Sequence, residues 1–494
     1  MLSTLWMISV WKAGILYCPV NHLYEGALLV HQLSDTNPDL IVVDPALVST
    51  LSAVVDDLPR RIPVSVHGST TDTFPEMIDH DWFLTGGSRP KAEIGPDDLA
   101  NIVYTSGTTG RSKGVLQSHL WMNQFTWSSR VITSSDDIVY NDLPMYHVAG
   151  AFHNVAKALW MGGTVWLWNK FSPSAFWSRI EESGATTAVL LDVMAGWLWN
   201  APGKPSDTEN SLNKVYMQPV SLNHHEFASR FSIEFLLAGF GQTEAGNPLM
   251  TVIDELHELR GVPTTHRRGL SREEIRARAA EYGLSIVTPE EVKGKAFMGN
   301  PTFFVDVEVQ DAEGHPVSHG TPGELAVRQR ASHVLFEGYY NNPQATEKAH
   351  LDGWFRTGDA AMVDADTGYF YFVDRLRDRI RVRGENVSTF HVEEVIQGHP
   401  DVELCAIFPY SDGDSDDEIV AVIQAREGAT LGEDTLRCYL DENLPKFMRP
   451  QHIVLDTDIP RTPTNKIKKY ELRKRFEASR PVAPLPDTSP AERA

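Results

Sequence analysis

One stretch constrains this chain more than any other. Ile102-Val103-Tyr104, apolar and strand-favouring, runs directly into Thr105-Ser106-Gly107-Thr108-Thr109-Gly110-Arg111-Ser112-Lys113-Gly114. A strand that ends in glycines, hydroxyl side chains and a lysine is built to hold an anion. Glycine lets backbone amides approach a phosphate closely, hydroxyls add donors, and the lysine adds charge. The order is not that of a Walker A loop, which needs Lys followed by Ser or Thr, whereas here Ser112-Lys113-Gly114 stands. Nor is it the GxGxxG dinucleotide fingerprint.

Around this loop, apolar strand-like runs (Leu40–Val43, Ala188–Leu191, Phe235–Leu237) alternate with helical patterns such as Ser174–Glu182. That alternation predicts an α/β fold with substantially parallel sheets. A strand-rich region follows Gly299, with runs at Val305–Val309, Gly323–Arg328 and Gly368–Val373 and a turn at Ala312-Glu313-Gly314. At roughly 150 residues per domain, 494 residues amount to about three domains' worth of chain. Composition shifts to dense charge after Arg375, which sets a boundary near Leu376. The expected division is 1–376, then a compact α+β domain over 377–477, then a Pro-rich disordered tail over 478–494. The polar, basic segment 260–295 reads as an inserted surface excursion. Its helix opens at the capping box Ser271-Arg272-Glu273-Glu274 and ends at Gly283.

Lys and Arg total 44 against 66 Asp and Glu, a formal charge of −22. Such a balance speaks against nucleic-acid or anionic-membrane partners. Any polyanion must therefore meet a local basic cluster. Cys18, Cys405 and Cys438 are odd in number and far apart, so neither a disulfide framework nor a zinc site is expected, and a reducing cytoplasm is the simplest home. The apolar stretch Leu5–Val20 carries Lys12 and Gly14 and is too short to span a bilayer. It reads as a helix running into a strand.

Five further strings follow the loop: Leu143-Pro144-Met145-Tyr146-His147, Phe240-Gly241-Gln242-Thr243-Glu244, Gly353–Asp359 with Thr357-Gly358-Asp359, the run Asp374–Asn386, and Pro460–Ile467. Singly each is weak. A Gly-Asp turn is commonly structural, and the seven basic residues against one acid in Arg461–Arg475 could be a solvated run. Arg375, Arg377, Arg379, Arg381 and Arg383 recur at period two, which on a strand puts all five on one face. Such a stripe could equally be a protected sheet edge. Together and in this order, the strings resemble the adenylate-forming superfamily of acyl-CoA synthetases, peptide-synthetase adenylation domains and luciferases.

The resemblance covers nearly the whole chain and implies a large N-terminal α/β domain with a small β-barrel-like subdomain and a mobile C-terminal α+β lid. It implies ATP, Mg²⁺ and coenzyme A as cofactors and a small carboxylic acid as substrate, with no membrane span and with a homodimer compatible. On this basis Thr105, Ser106, Gly107, Thr108, Thr109, Gly110 and Lys113 bind phosphate. Phe240 and Gly241 flank adenine, Thr243 meets the α-phosphate, and Glu244 holds the metal. Asp359 and Arg375 take the ribose, Arg377 is the hinge, and His147 borders the acyl pocket. Gly384 serves CoA, and Lys466 bridges carboxylate and α-phosphate. The aromatic and His side chains Tyr146, His147, Phe152, His153 and Trp160 either line that pocket or belong to the core.

The sequence also departs from the family pattern. The match begins part-way in, near Trp11-Lys12-Ala13-Gly14, so either Met1 is not the natural start or the first subdomain is abbreviated. Tyr216-Met217-Gln218-Pro219-Val220 replaces a Gly-Gly-Ala strand, Ser112 and Thr389 stand where Pro is usual, Arg377 where Asp or Lys is usual, and Asn465 where Gly is usual. The Tyr216–Val220 variation, together with Pro144–His147 and Gly384–Ser388, looks most like a carnitine/crotonobetaine-CoA ligase-like branch, which suggests a polar or short acid. The expected activity is an AMP-forming acyl-CoA ligase. Delivery of the acyl group to a carrier protein, a luciferase-like oxygenase, and a non-catalytic binding protein on the same fold are the competing readings.

Overall fold

The computed structural model describes residues 2–68, 70, 71, 73, 75–78, 92–105, 112–257, 261–294, 296–376, 380–382, 385–411, 417–462 and 466–479. The chain divides into two compact units, Met1–Phe372 and Val373–Ala494.

The first unit is built on a seven-stranded sheet. Its order is Ile286–Val287, Gly246–Asp254, Phe235–Gln242, Lys214–Met217, Thr187–Leu190, Ile138–Asn141, Thr164–Leu167. Every neighbouring pair is parallel except Phe235–Gln242 with Gly246–Asp254, which run antiparallel through a turn. Thr187–Leu190, Lys214–Met217 and Gly246–Asp254 are buried along their whole length. That is why the sequence shows continuous apolar runs rather than alternation, since both faces of such a sheet are covered. Near the start of the chain, Leu2–Ala13 is helical as expected, but the strand read after it reduces to one bridge, Tyr17 with Asn101. The helix Gly26–Thr36 packs on a small parallel sheet of Ile41–Val43, Val64–Val66 and Met77–Ile78.

The strand-rich region after Gly299 is a six-stranded antiparallel sheet. Phe297–Gly299, Phe370–Arg375, Trp354–Val363, Gly323–Gln329 and Val305–Gln310 follow one another, with His350–Leu351 added beside Trp354. Register irregularities at Phe297/Gly299 and Glu324/Ala326 bend it into the curled subdomain.

Segment 260–295 corrects the sequence reading. The capping box forms as read: Ser271 N–H donates to Glu274 Oε2 at 2.7 Å, and Glu274 N–H to Ser271 Oγ at 3.2 Å. The helix Arg272–Glu281 is no surface excursion, however. Ile275 and Ala279 are fully buried in the main core, and Ile286–Val287 is the edge strand of the seven-stranded sheet. Two small apolar positions one helical turn apart suffice to dock a helix whose other faces are charged. Arg267 and Arg272 also reach Glu234, a fully buried carboxylate that needs such partners.

The second unit holds a three-stranded sheet, Val402–Tyr410 antiparallel to Glu418–Ala425, which runs parallel to His452–Leu455. Helices Thr389–Gln397 and Glu433–Asn443 supply the apolar residues that cover it. The arginine stripe does not lie on one continuous strand as read. The strand Phe370–Arg375 ends at the first arginine, a new strand begins at Ile380, and Arg377, Arg379 and Arg383 lie outside the described residues. The last helix, Lys469–Ser479, overruns the expected start of the tail at 478, and residues 480–494 lie outside the description. Among the described residues no helix is long and apolar enough to cross a membrane.

At the start of the sheet strands Ile138–Asn141 and Lys214–Met217 sits a buried ionic group. Lys214 Nζ lies 2.8 Å from Asp137 Oδ1 with both side chains almost wholly buried, and Lys157 Nζ donates to Ser129 Oγ at 3.3 Å. Burial pushes the Lys157 ammonium down to about 7; Asp137 opposes the fall and Lys214 adds to it. The folded-state value lies below the unfolded 10.5. Between about 7 and about 10.5 the unfolded chain therefore holds a proton that the folded chain lacks, so stability rises with pH across that window and its deficit is complete below it. Lys157→Met is expected to melt higher than the wild type near neutral pH. It should also lose this group's share of the alkaline gain, as read from thermal melts across the window.

Candidate functional site

The loop's two limbs are the ends of a hairpin, Leu99–Tyr104 antiparallel to Gly114–Ser118, closed by Thr105 N–H donating to the Lys113 carbonyl at 3.0 Å. Ser106, Gly107, Thr108, Thr109 and Gly110 lie outside the described residues. Gly114 is required by packing, since a Cβ there would meet Ile102 Cγ2 at 2.8 Å. Strand Gly338–Tyr339 pairs on the hairpin's far edge. That pairing sets Lys113 Nζ 3.9 Å above the Tyr339 ring. The Tyr339 hydroxyl donates to Glu244 Oε1 at 2.9 Å. One tyrosine thus links the loop lysine to the carboxylate of the second string.

Thr243 and Glu244 stand at the turn between the antiparallel strands Phe235–Gln242 and Gly246–Asp254, at the carboxyl end of the parallel strands, where α/β sheets bind ligands. Their carbonyls are fixed. Gln117 Nε2 donates to Thr243 O at 2.8 Å, while Trp121 Nε1 (3.2 Å) and Phe336 N–H (2.9 Å) donate to Glu244 O. Burial raises the Glu244 carboxyl, and the Tyr339 hydroxyl and Lys113 pull it back without cancelling the rise. A carboxylate held short of solvent gains from a nearby hard cation. Mg²⁺ takes one or two carboxylates and completes its shell with substrate phosphates and water, so Glu244 fits as its protein ligand. Among the described residues no group of three or more His, Cys, Asp or Glu gathers to hold a metal by itself.

The same turn reaches the third string. Gln242 Nε2 donates to Asp359 Oδ2 and, at 3.1 Å, to the Thr357 carbonyl. Thr357 Oγ1 donates to Leu325 O at 2.8 Å, and Gly358 N–H to Glu324 Oε1 at 3.0 Å. Glu324 is in turn ion-paired with Arg356.

The structure places the other assigned residues as follows. Phe240 is 7% exposed and packed among Leu249, Met298, Leu325 and Phe370. His147 is half-buried and its Nδ1 accepts from Ala149 N–H at 3.2 Å, at the start of the π-helix Ala149–Ala156. Phe152 and His153 are buried in the core, and Trp160 is 45% exposed beneath Arg130. Arg375 is exposed at the end of its strand. Lys466, on the second unit, is also exposed; its N–H donates to Thr462 Oγ1 at 3.0 Å. Arg377, Gly384 and Asn465 lie outside the described residues. Thr389, where Pro was expected, uses the N–H that Pro lacks: this group and its hydroxyl both donate to the buried Asp374. Sequence reasoning missed Tyr339, Gln117 and Gln242 as site-building groups. None of them stands out by spacing or composition.

Comparison with known proteins gives three findings. Residues 3–340 match the AMP-binding enzyme family and residues 391–466 the AMP-binding enzyme C-terminal domain. The feruloyl-CoA synthase of an Amycolatopsis species is 28% identical over 94% of this chain and 84% of its own length. The crotonobetaine/carnitine–CoA ligase of Salmonella typhimurium is 30% identical over 77% of this chain and 67% of its own. Among solved structures, ATP-bound MatB from Rhodopseudomonas palustris shares the fold at a TM-score of 0.74 and 23% identity, covering 96% of this chain and 86% of that one.

Gly246 makes the turn possible. Its φ is +67°, and a Cβ would fall 1.9 Å from Gln124 Oε1. That oxygen accepts from Asn247 N–H at 3.2 Å. Gly246→Ala is expected to cost about 1–3 kcal/mol through the strained backbone, with more from the displaced amide. Chemical denaturation would read the loss, and a midpoint unchanged from wild type would count against this account.

Proposed function

Because the chain belongs to the AMP-binding enzyme family, whose relatives above are CoA ligases, we propose that it condenses a carboxylic acid with coenzyme A through an acyl-adenylate. The observation that carries this reading is the single bonded assembly of Lys113, Tyr339, Glu244, Gln242 and Asp359 in one unit. In the first half-reaction a carboxylate oxygen attacks the α-phosphorus of ATP, the bond to the bridging oxygen breaks, and pyrophosphate leaves. In the second, the CoA thiolate attacks the acyl carbon and the C–O bond to AMP breaks.

Catalysis of the first step is mainly electrostatic positioning. Lys113 neutralises phosphate charge at the loop's exit, and the Thr243 hydroxyl meets the α-phosphate. Asp359 accepts from the ribose hydroxyls, and Arg375 contacts the ribose. His147 borders the acyl group. Glu244 would hold Mg²⁺, which would supply positive charge to the phosphate oxygens. Lys466 supplies the charge that bridges carboxylate and α-phosphate, and Arg377 is the hinge on which the smaller domain (377–477) turns between half-reactions. The remaining loop residues 106–110 and Gly384 keep their phosphate and CoA assignments. The enzyme acts in the cytoplasm, where ATP and CoA are supplied and thiols such as Cys18, Cys405 and Cys438 stay reduced.

Pyrophosphate exchange across a panel of acids, including hydroxycinnamates and short betaines, followed by addition of CoA or a carrier protein, tests the reading. Thioester on CoA is expected, and exchange with none of the acids would count against it. Lys466→Ala should lower exchange by about 10²–10³ while ATP still binds. Arg377→Pro should spare exchange and abolish thioester formation, and equal loss of both half-reactions would remove the hinge assignment.

A further inference from the structure

None of the five strings includes the helix Gly26–Thr36, yet this helix holds both limbs of the phosphate loop. On the descending limb, His31 Nε2 lies 3.0 Å from the Ser112 carbonyl. A carbonyl only accepts, so the proton sits on Nε2 and His31 is the donor. On the ascending limb, the Tyr104 hydroxyl donates to Asp35 Oδ2 at 2.6 Å and lies 3.0 Å from Thr36 Oγ1. Burial and the Asp35 carboxylate both push the Tyr104 phenol far up, so it stays a donor across the working range. Asn341 Nδ2 donates to the Asp35 carbonyl at 3.0 Å, two residues after the Tyr339 that carries Lys113. His31, Asp35, Ser112, Lys113 and Asn341 line one small cavity at the loop's base.

These contacts join residues 69 to 306 positions apart in sequence and converge on one turn of helix. The helix packs through Leu29 and Leu33 on Val64 and Val66 of the small N-terminal sheet and on Val48 and Leu51 of the short helix Val48–Ser52. A packed helix is therefore bonded to Tyr104 and Ser112, the described residues on the two limbs of the loop.

We propose that His31 and Asp35 are positioning residues for ATP: through Ser112 and Tyr104 they hold the two strand ends that flank the phosphate loop, and with them the adjoining Lys113, in place for the phosphates. Neither residue touches the reacting atoms. Their action passes through Ser112 and Tyr104. The proposal rests on the ligase reading for the identity of the ligand.

The test compares wild type, His31→Ala, His31→Gln and Tyr104→Phe, with Leu28→Ala as a control on the exposed face of the same helix, where Leu28 is 59% exposed. MgATP affinity is read by calorimetry, KM and kcat by pyrophosphate exchange, and folding by thermal melts. Loss of one such bond should weaken MgATP binding and raise KM for ATP about 3- to 10-fold. The expected pattern is that His31→Ala and Tyr104→Phe show this rise with kcat and melting temperature near wild type. His31→Gln, which keeps a donor, should recover most of it, and Leu28→Ala should show none. His31→Ala and Tyr104→Phe that bind MgATP as well as wild type overturn the proposal, as does weakening that tracks only a lower melting temperature. A wild type that binds no MgATP overturns the ligase reading instead, and with it the ligand assigned to these residues.

Discussion

The site turns on one aromatic ring. Tyr339 presents its face to the Lys113 ammonium and its hydroxyl to Glu244. The ring face positions the ammonium from one side. The hydroxyl orients the carboxylate as a neutral donor. Both placements depend on strand Gly338–Tyr339 pairing with the loop's own hairpin.

The rest of the site is hung on carbonyls. Gln117 and Trp121 follow the loop closely in sequence, and their side chains bond the main chain of Thr243 and Glu244 more than a hundred residues later. Side-chain amides and indoles bonded to buried carbonyls remove an unsatisfied-group penalty and fix a turn at the same time. Glu244, Lys113 and Asp359 are thereby placed by different sheets and linked through Tyr339 and Gln242.

Much of this was legible in the sequence, because glycine loops, capping boxes and Gly-x-Thr-Glu turns owe their form to local chemistry. The capping box at Ser271 illustrates both sides. The box formed as read, but burial of Ile275 and Ala279 depends on a sheet edge that local pattern does not reveal. The arginine stripe misled for a related reason. Period two fits a strand, yet the strand stops at Arg375. Tyr339, Gln242, His31 and Asp35 carried no signal at all. Each acts through partners brought near by folding, and no spacing rule encodes a contact between residues 35 and 341.

The bond between Gln242 and Asp359 has a consequence for fidelity. On the proposed assignments, Asp359 senses the sugar and Gln242 is the immediate neighbour of the Thr243 and Glu244 that sense phosphate and cation. The two recognition events are therefore not separate checkpoints whose errors average out. A nucleotide with the wrong sugar would then disturb Asp359 and, through it, the side chain adjoining the phosphate turn. It would be rejected as a misaligned reactant rather than merely as a loosely held one, so that discrimination reaches into the chemical step.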